Sequence, residues 1–196
     1  ACYAFSTSRT GAKLPASSNL VRERLYARII PNERCSPMRV MCVHPGSDIA
    51  TGDVYDGLIP ALRRLNVDVI EYPLSARIDR MANWLDYNYR RAKKKDSSIP
   101  KPTWADALYL AAERLVPLAL REMPDWILAL SCMYTHPDIF ILLRRAGLKI
   151  AMLLSEAPFD DIAHFRMLPL ARIAWVNERR SVDVLKYANE RVRYLP

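Results

Sequence analysis

The sequence predicts an α/β domain built on a doubly wound parallel sheet, layered α/β/α, and three observations carry that expectation. Short apolar or β-branched runs alternate with segments whose apolar residues recur at helical spacing, from Arg39 to the carboxyl end. The opening stretch, RVMCVHPGSDIATGDVYDGLIPALRRLNVDVIEY (39–72), reads strand, helix, strand. Two strands separated by one helix share a sheet as parallel neighbours, because a parallel pair needs a crossover. Finally, 196 residues that are 51% hydrophobic are enough to bury the core of one domain.

The elements follow in order. Arg39–His44 is a run rich in Val and Met, Leu58, Leu62 and Leu65 mark a helix, and 67–72 (VDVIEY) is a β-branched second strand that Pro73 ends. A helix is expected over 76–95 with Ile78, Met81, Trp84 and Leu85 on one face, followed by a linker, 97–102, that carries two prolines. Thr103, with Asp106 three residues on, caps a helix reaching to about Glu122. Leu108, Ala111, Ala112, Leu115, Leu118 and Ala119 form its buried stripe, and Pro117 should kink it. After a turn at 123–125, Trp126–Leu130 is a third strand buried on both faces. Thr135 is placed to cap the next helix, with Pro137 in its first turn, Asp138 complementing its dipole, Ile139, Leu142 and Leu143 packing, and Gly147 as its stop. Strands are expected at 148–154, 171–176 and 192–195, and a helix at 181–188 with Val182, Val184 and Leu185 inward.

Residues 1–37 are rich in Ser, Arg and Ala, and are expected to be a disordered leader or non-native upstream sequence ahead of a domain over 38–196. An Arg- and Ser-rich leader suits a transit peptide; alternatively Met38 is the natural start and the preceding residues are translated in frame. The reading favoured here is a fragment open at both ends. The leader holds six basic residues against Glu23 and Glu33, half of the net charge of +8, so charge alone argues only weakly for a polyanionic partner. No apolar run approaches the roughly 20 residues that span a bilayer. The cysteines form no C-x-x-C pair, and Cys42 and Cys132 fall within expected buried strands. A soluble protein in the reducing cytoplasm is expected.

Polar residues gather where the strands end, and in a parallel sheet those ends share one rim, where ligands sit. The first loop runs from His44 to Asp53 with Gly46, Ser47, Asp48, Thr51 and Gly52, longer than the roughly two to six residues usual for such connections. It either binds a ligand or is a Gly-hinged loop with Asp53 capping the helix. It lacks both G-x-G-x-x-G and G-x-x-x-x-G-K-[ST], which excludes the dinucleotide fingerprint and the P-loop. Ser131 to His136, including Tyr134 and Thr135, follow the third strand, Ser155 to Asp161 the fourth, and Asn177 with Glu178 the fifth. Glu156 is the candidate general base toward a hydroxyl. Asp160 and Asp161 either join it or cap the short helix containing His164 and Phe165. His44 and His136 are placed to bind substrate or phosphate, or to serve structurally. No His/Cys/Asp spacing makes a metal site, and no G-x-S-x-G or Cys/His pair suggests a covalent nucleophile. An acidic pair after the first strand, which a response-regulator receiver needs, is missing. Elsewhere, Tyr87 and Tyr89 interleave with Arg90, Arg91, Lys93, Lys94 and Lys95, a pattern that either tracks a nucleic-acid backbone or is a solvated helix end.

The last fifty residues, with SEAPF at 155–159, WVNE at 175–178, Ser181-Val182 and YLP at 194–196, resemble the amino-terminal half of GT-B glycosyltransferases. They are most similar to the group related to the spore-maturation protein CgeB and its bacteriophage relatives. The opening strand, loop and helix fit the same pattern, so the resemblance covers 38–196. It implies a Rossmann-like domain forming one half of a GT-B architecture and holding the acceptor, with a second domain binding the nucleotide sugar. Under that resemblance the loops at 44–53, 134–136 and 156–161 face acceptor and sugar. It also implies a nucleotide sugar as co-substrate, no bound metal or cofactor, and no catalysis by this half alone. Nucleic acid as acceptor would make the basic run at 87–95 a substrate contact; the alternative is a non-enzymatic Rossmann-like module that binds nucleic acid or another polyanion.

Overall fold

After Arg39, every residue of β1 (Arg39–His44) is buried, as expected of a strand covered on both faces. In the computed structural model, which describes residues 37–45 and 51–196, this strand lies inside a six-stranded sheet. Its neighbours are β2 (Asp68–Pro73) on one side and β3 (Trp126–Leu130) on the other. β4 (Ile150–Leu154), β5 (Ile173–Val176) and β6 (Val192–Tyr194) continue from β3, giving the order β2-β1-β3-β4-β5-β6. All five pairings are parallel, for instance Met41 opposite Ile70 and Ile127. The described residues therefore form a Rossmann-like α/β fold, and the expectations for 1–36 and for Gly46, Ser47 and Asp48 lie outside them.

The helices take their faces from this order. Parallel crossovers are right-handed, so a reversal in the direction of strand addition moves the connecting helix to the other face. The chain steps one way from β1 to β2 through α1 (Gly52–Arg64), whose Ile59 packs on Val40 and Cys42. Every later step runs the other way. The connecting helices are α2 (Ser75–Lys93), α3 (Trp104–Ala112), α4 (Leu115–Glu122), α5 (Pro137–Arg145), α6 (Asp161–Met167) and α7 (Arg179–Leu185). Ile78, Leu115, Leu143 and Leu185 from this set join Met41, Val43, Ile127, Met152 and Val176 in one larger core on the opposite face. The single reversal lies between β1 and β3, which makes the carboxyl ends of those two strands the switch point of the sheet.

Local chemistry fixes the element ends. The capping box at Thr103 forms: its hydroxyl oxygen accepts from the Asp106 N–H, and the Asp106 carboxylate accepts from the Thr103 N–H at 2.7 Å. Expected as one kinked helix, 103–122 is two helices. Pro117 has no N–H and its ring crowds the carbonyl four residues back, at Glu113, which is where α3 gives way to α4. The cap of α5 is His136, not Thr135, because a residue before proline is held extended, here at φ −62° and ψ 136°. β2 reaches Pro73, which an edge strand tolerates. β4 and β5 start two residues later than expected, the latter after a 3₁₀ turn over Leu168–Leu170. Helix α7 opens at Arg179 rather than Ser181, with Glu178 as its cap. Cys132 is buried but lies beyond β3, Leu65, expected within the helix, is its exposed C-cap, and Trp84, Leu142 and Val184, expected to pack, are exposed. All are apolar at helical spacing, yet the inward arc is filled by Ile59, Ile78, Phe140 with Leu143, and Val182 with Leu185.

Candidate functional site

Buried polar atoms normally find hydrogen-bond partners, since each one left unpaired costs about 1–3 kcal/mol. Among the described residues, ten buried side-chain nitrogen and oxygen atoms have no such partner, and they belong to seven residues: His44, Thr51, Ser131, Thr135, Glu156, Asp161 and His164. All seven stand at the carboxyl ends of β1, β3 and β4 or in the first turns of the helices that follow. The molecule thus concentrates its buried polar side chains on one rim, around the switch point, where His164 stands just beyond hydrogen-bond distance of Glu156 and Asp161 at 3.8 and 3.6 Å while His44, Thr51 and Thr135 have no polar partner among the described residues.

His44 closes β1 and stacks on Tyr55 of α1, with ring centroids 3.7 Å apart and planes 18° from parallel. Both of its nitrogens lack a partner. Burial lowers its pKa below the usual value, an effect that the nearby Glu71 carboxylate opposes but does not cancel. The imidazole is therefore neutral at neutral pH, one nitrogen donating and one accepting. Gly52 is the buried first residue of α1, and Asp53 is exposed in its first turn. Asp53 does not cap: Thr51 holds the cap position without a side-chain hydrogen bond, its hydroxyl buried.

Across the switch point, Ser131 leaves β3 in the left-handed region, with φ +58°. Its N–H is tied to the Leu153 carbonyl at 2.9 Å, so β4 holds it there. A non-glycine residue in that region is uncommon and costs energy that the surroundings must repay. Thr135 is buried and Tyr134 half-buried, while His136 accepts from the Asp138 N–H at 3.3 Å and meets the Tyr109 ring edge-on at 5.4 Å. A groove of about 660 Å³ flanks this corner, lined by Leu85, Pro102, Tyr109, Leu110 and His136 among others.

Glu156 follows β4. Its carboxylate lies beside the Ser131 hydroxyl and the His164 imidazole, with the His164 Nε2 3.8 Å away. Burial pushes its pKa up, but the imidazole, the hydroxyl and a backbone N–H outweigh that and hold it below the ordinary carboxylate value. It stays ionised at neutral pH. Behind it, the wholly buried His164 stands 3.6 Å from the Asp161 carboxylate through Nδ1, and the other Asp161 oxygen accepts from the Ser181 hydroxyl at 2.8 Å. A chain Ser181, Asp161, His164, Glu156 thus links α7 to the rim. Asp161 opens α6, and Asp160 occupies its cap position without a side-chain cap bond. Asn177 donates to the Ser155 carbonyl at 2.8 Å, anchoring the loop that carries Glu156 to the end of β5.

The structure therefore gathers Glu156 and Asp161 with Ser131 and His164, with Tyr134 near enough for the Glu156 charge to raise its pKa, places Thr135, His44 and Thr51 elsewhere on the same rim, and leaves Asp53 aside on the helix surface. His164 and Ser181 escaped the sequence reading as site residues, and Ser131 and Thr51 entered it only as polar members of the rim loops. Ser131 and Thr51 had a usable signal, each adjoining the end of a strand or the start of a helix on the rim. His164 and Ser181 had none, since their contacts link elements that only the fold brings together. Cys132 is an inert neighbour, its thiol pushed up to about 12 by burial and by the Glu156 and Asp160 carboxylates. No Lys or Arg of the described residues pairs with Glu156 or Asp161, whose only ionic neighbour is His164. Among the described residues no three His, Cys, Asp or Glu side chains converge as a metal ion would require.

The basic-aromatic run ends α2 on the surface, with Arg91 lying over the Tyr87 ring, Lys93 over Tyr89, and Arg90 paired with Asp86 at 2.7 Å. No described helix is long and apolar enough to cross a membrane. No family model matches this sequence, and no curated protein matches it either.

Proposed function

We propose that this chain is the acceptor-holding domain of a GT-B-type, CgeB-like glycosyltransferase, and that its carboxyl rim binds a polyhydroxylated acceptor with Glu156 as the base toward the attacking hydroxyl. The observation that carries the reading is the set of buried polar side chains on that rim, with His44, Thr51 and Thr135 lacking a polar partner among the described residues. Hydroxyls, neutral imidazole and carboxylate are the donors and acceptors that suit sugar hydroxyls. The Glu156 and Asp161 carboxylates, whose salt-bridge neighbour among the described residues is His164, would repel a phosphate there and suit a neutral ligand. Glu156 is deprotonated at neutral pH and half-buried, so it can accept a hydroxyl proton, and its lowered pKa means that it would serve as a weaker base than an ordinary carboxylate until substrate binding displaces its neighbours. The buried, unbridged thiols of Cys42 and Cys132 support a reducing, cytoplasmic setting. Whether the enzyme is of bacteriophage type, and whether nucleic acid is its acceptor, belongs to the same proposal. One face each of Tyr87 and Tyr89 is covered by a cation of their own helix, which weighs against base stacking on that face.

The test is transfer from nucleotide sugars by the full-length gene product. Glu156→Gln keeps the shape and removes the base, and kcat should fall about 10²–10⁴-fold while the KM for donor stays unchanged. Wild-type transfer rates in that variant would sink the assignment.

A further inference from the structure

Helices α2 and α3 form an antiparallel pair that stands beyond the carboxyl rim. Met81 shares one hollow with Leu110 and Ala111, and Leu85 shares the next with Thr103 and Ala107, so the two helices run in opposite directions. Tyr72, near the carboxyl end of β2, donates to the Ala111 carbonyl at 3.1 Å, and Arg39, at the amino start of β1, donates to the Glu122 carbonyl at 3.0 Å. The chain therefore descends alongside the sheet from Ala111 to Glu122. The part of α3 before Ala111 rises past the rim by about 10 Å, at roughly 1.5 Å per residue.

Between this pair and the rim lies the groove of about 660 Å³ that flanks His136, a volume within the range of roughly 300–1,000 Å³ typical of small-ligand sites. Leu85, Pro100, Pro102, Ala105, Tyr109 and Leu110 give it apolar walls, and the Tyr109 ring stays exposed among them. Its charged members oppose one another. Thr103 and Asp106 are spent on each other in the capping box, and Lys101 brings the sign opposite to Asp106. His136 differs: its Nδ1 accepts from the Asp138 N–H at 3.3 Å, so the ring proton sits on Nε2, which has no hydrogen-bond partner among the described residues. This histidine also joins the groove to the rim. It meets the Tyr109 ring edge-on and adjoins in the chain the buried Thr135 hydroxyl.

We propose that this groove holds an aromatic ring joined through an oxygen to the polyhydroxylated acceptor, an aglycone whose linking oxygen accepts from the His136 Nε2–H. The inference rests on the acceptor reading of the rim and names the class of acceptor that the rim takes. An aromatic ring gains an offset or edge-to-face contact with Tyr109 beyond its buried area, which a saturated ring does not. An uncharged body suits a groove whose lysine and carboxylate oppose one another, and an acceptor oxygen suits the unengaged Nε2–H.

NMR titration of the whole chain with the methyl, phenyl and cyclohexyl β-glycosides of glucose and galactose, and with phenol alone, tests it through the backbone amides. For at least one of the two sugars, the phenyl glycoside should bind about tenfold tighter than the methyl one, and tighter than the cyclohexyl one, which is apolar without a π face. Its added shifts should fall on Leu85, Tyr109, Leu110 and His136, the residues that phenol alone also moves. Tyr109→Ser should erase the phenyl gain and Tyr187→Ser, at an exposed ring outside the groove, should keep it, with circular-dichroism melts confirming that both variants fold. The proposal is overturned, and the acceptor reading left standing, if methyl glycosides shift the rim while phenyl ones bind no tighter or cyclohexyl ones bind equally well. If phenol shifts the groove but no glycoside shifts the rim, the acceptor reading falls and this subsite's role falls with it.

Discussion

His44 shows how one residue couples fold and site. It is a polar ring without a hydrogen-bond partner among the described residues, at the end of a buried strand, kept neutral by burial and stacked on Tyr55. Its folded pKa lies below 6.5, so as pH falls the unfolded chain takes up a proton that the folded chain resists. The stability it contributes is full above about pH 6.5 and is lost as pH drops toward the folded pKa. Glu156 and Glu71, lowered from 4.5, add a second loss on the acid side of that value. Denaturant melts at pH 7.5, 6.0, 5.0 and 3.5 should show falling stability across the upper window, and His44→Phe should flatten that part of the profile while leaving the loss below pH 4.5. An unchanged profile in the variant would mean that His44 does not titrate in this way. The identity of this residue as a rim candidate was legible in the sequence, because the end of a predicted strand in a parallel sheet has a known position. Its stacking partner was not, because Tyr55 reaches it only through the packing of α1.

At the level of elements, the sequence was most readable where a local rule had no competitor. The Thr103 capping box is complete in the sequence and in the structure, and Thr103→Ala should lower stability by about 1 kcal/mol, read as a shift of the denaturation midpoint at constant slope. A shift below a few tenths would show that the box is a solvated arrangement. The cap of α5 illustrates competition between rules: Thr135 is the better capping side chain, yet Pro137 dictates the backbone before it, and His136 takes the position. Thr135 is left buried, its hydroxyl free for a ligand. Likewise helical spacing nominated Leu142 and Val184 for the core, but spacing gives a face and not its width. The ends of β4 and β5 moved because hydrogen-bond pairing, rather than apolar content, sets where a strand begins.

For the whole molecule, the order of strands matters more than any single contact. Alternation along the chain made a parallel sheet legible, but the place where strand addition reverses follows from pairing among β1, β2 and β3, which no local pattern encodes. That reversal puts His44 and Ser131 on either side of the crevice where open α/β sheets hold ligands. The central claim is that the carboxyl rim receives a neutral polyhydroxylated ligand. Its most direct test is an NMR titration of the chain with glucose, galactose and maltose at tens of millimolar, following backbone amides. The account predicts saturable shifts for at least one sugar, confined to the residues around 44, 131–136 and 155–164 and abolished in Glu156→Gln. Shifts from all three sugars that are absent, or that map away from that rim instead, would contradict it.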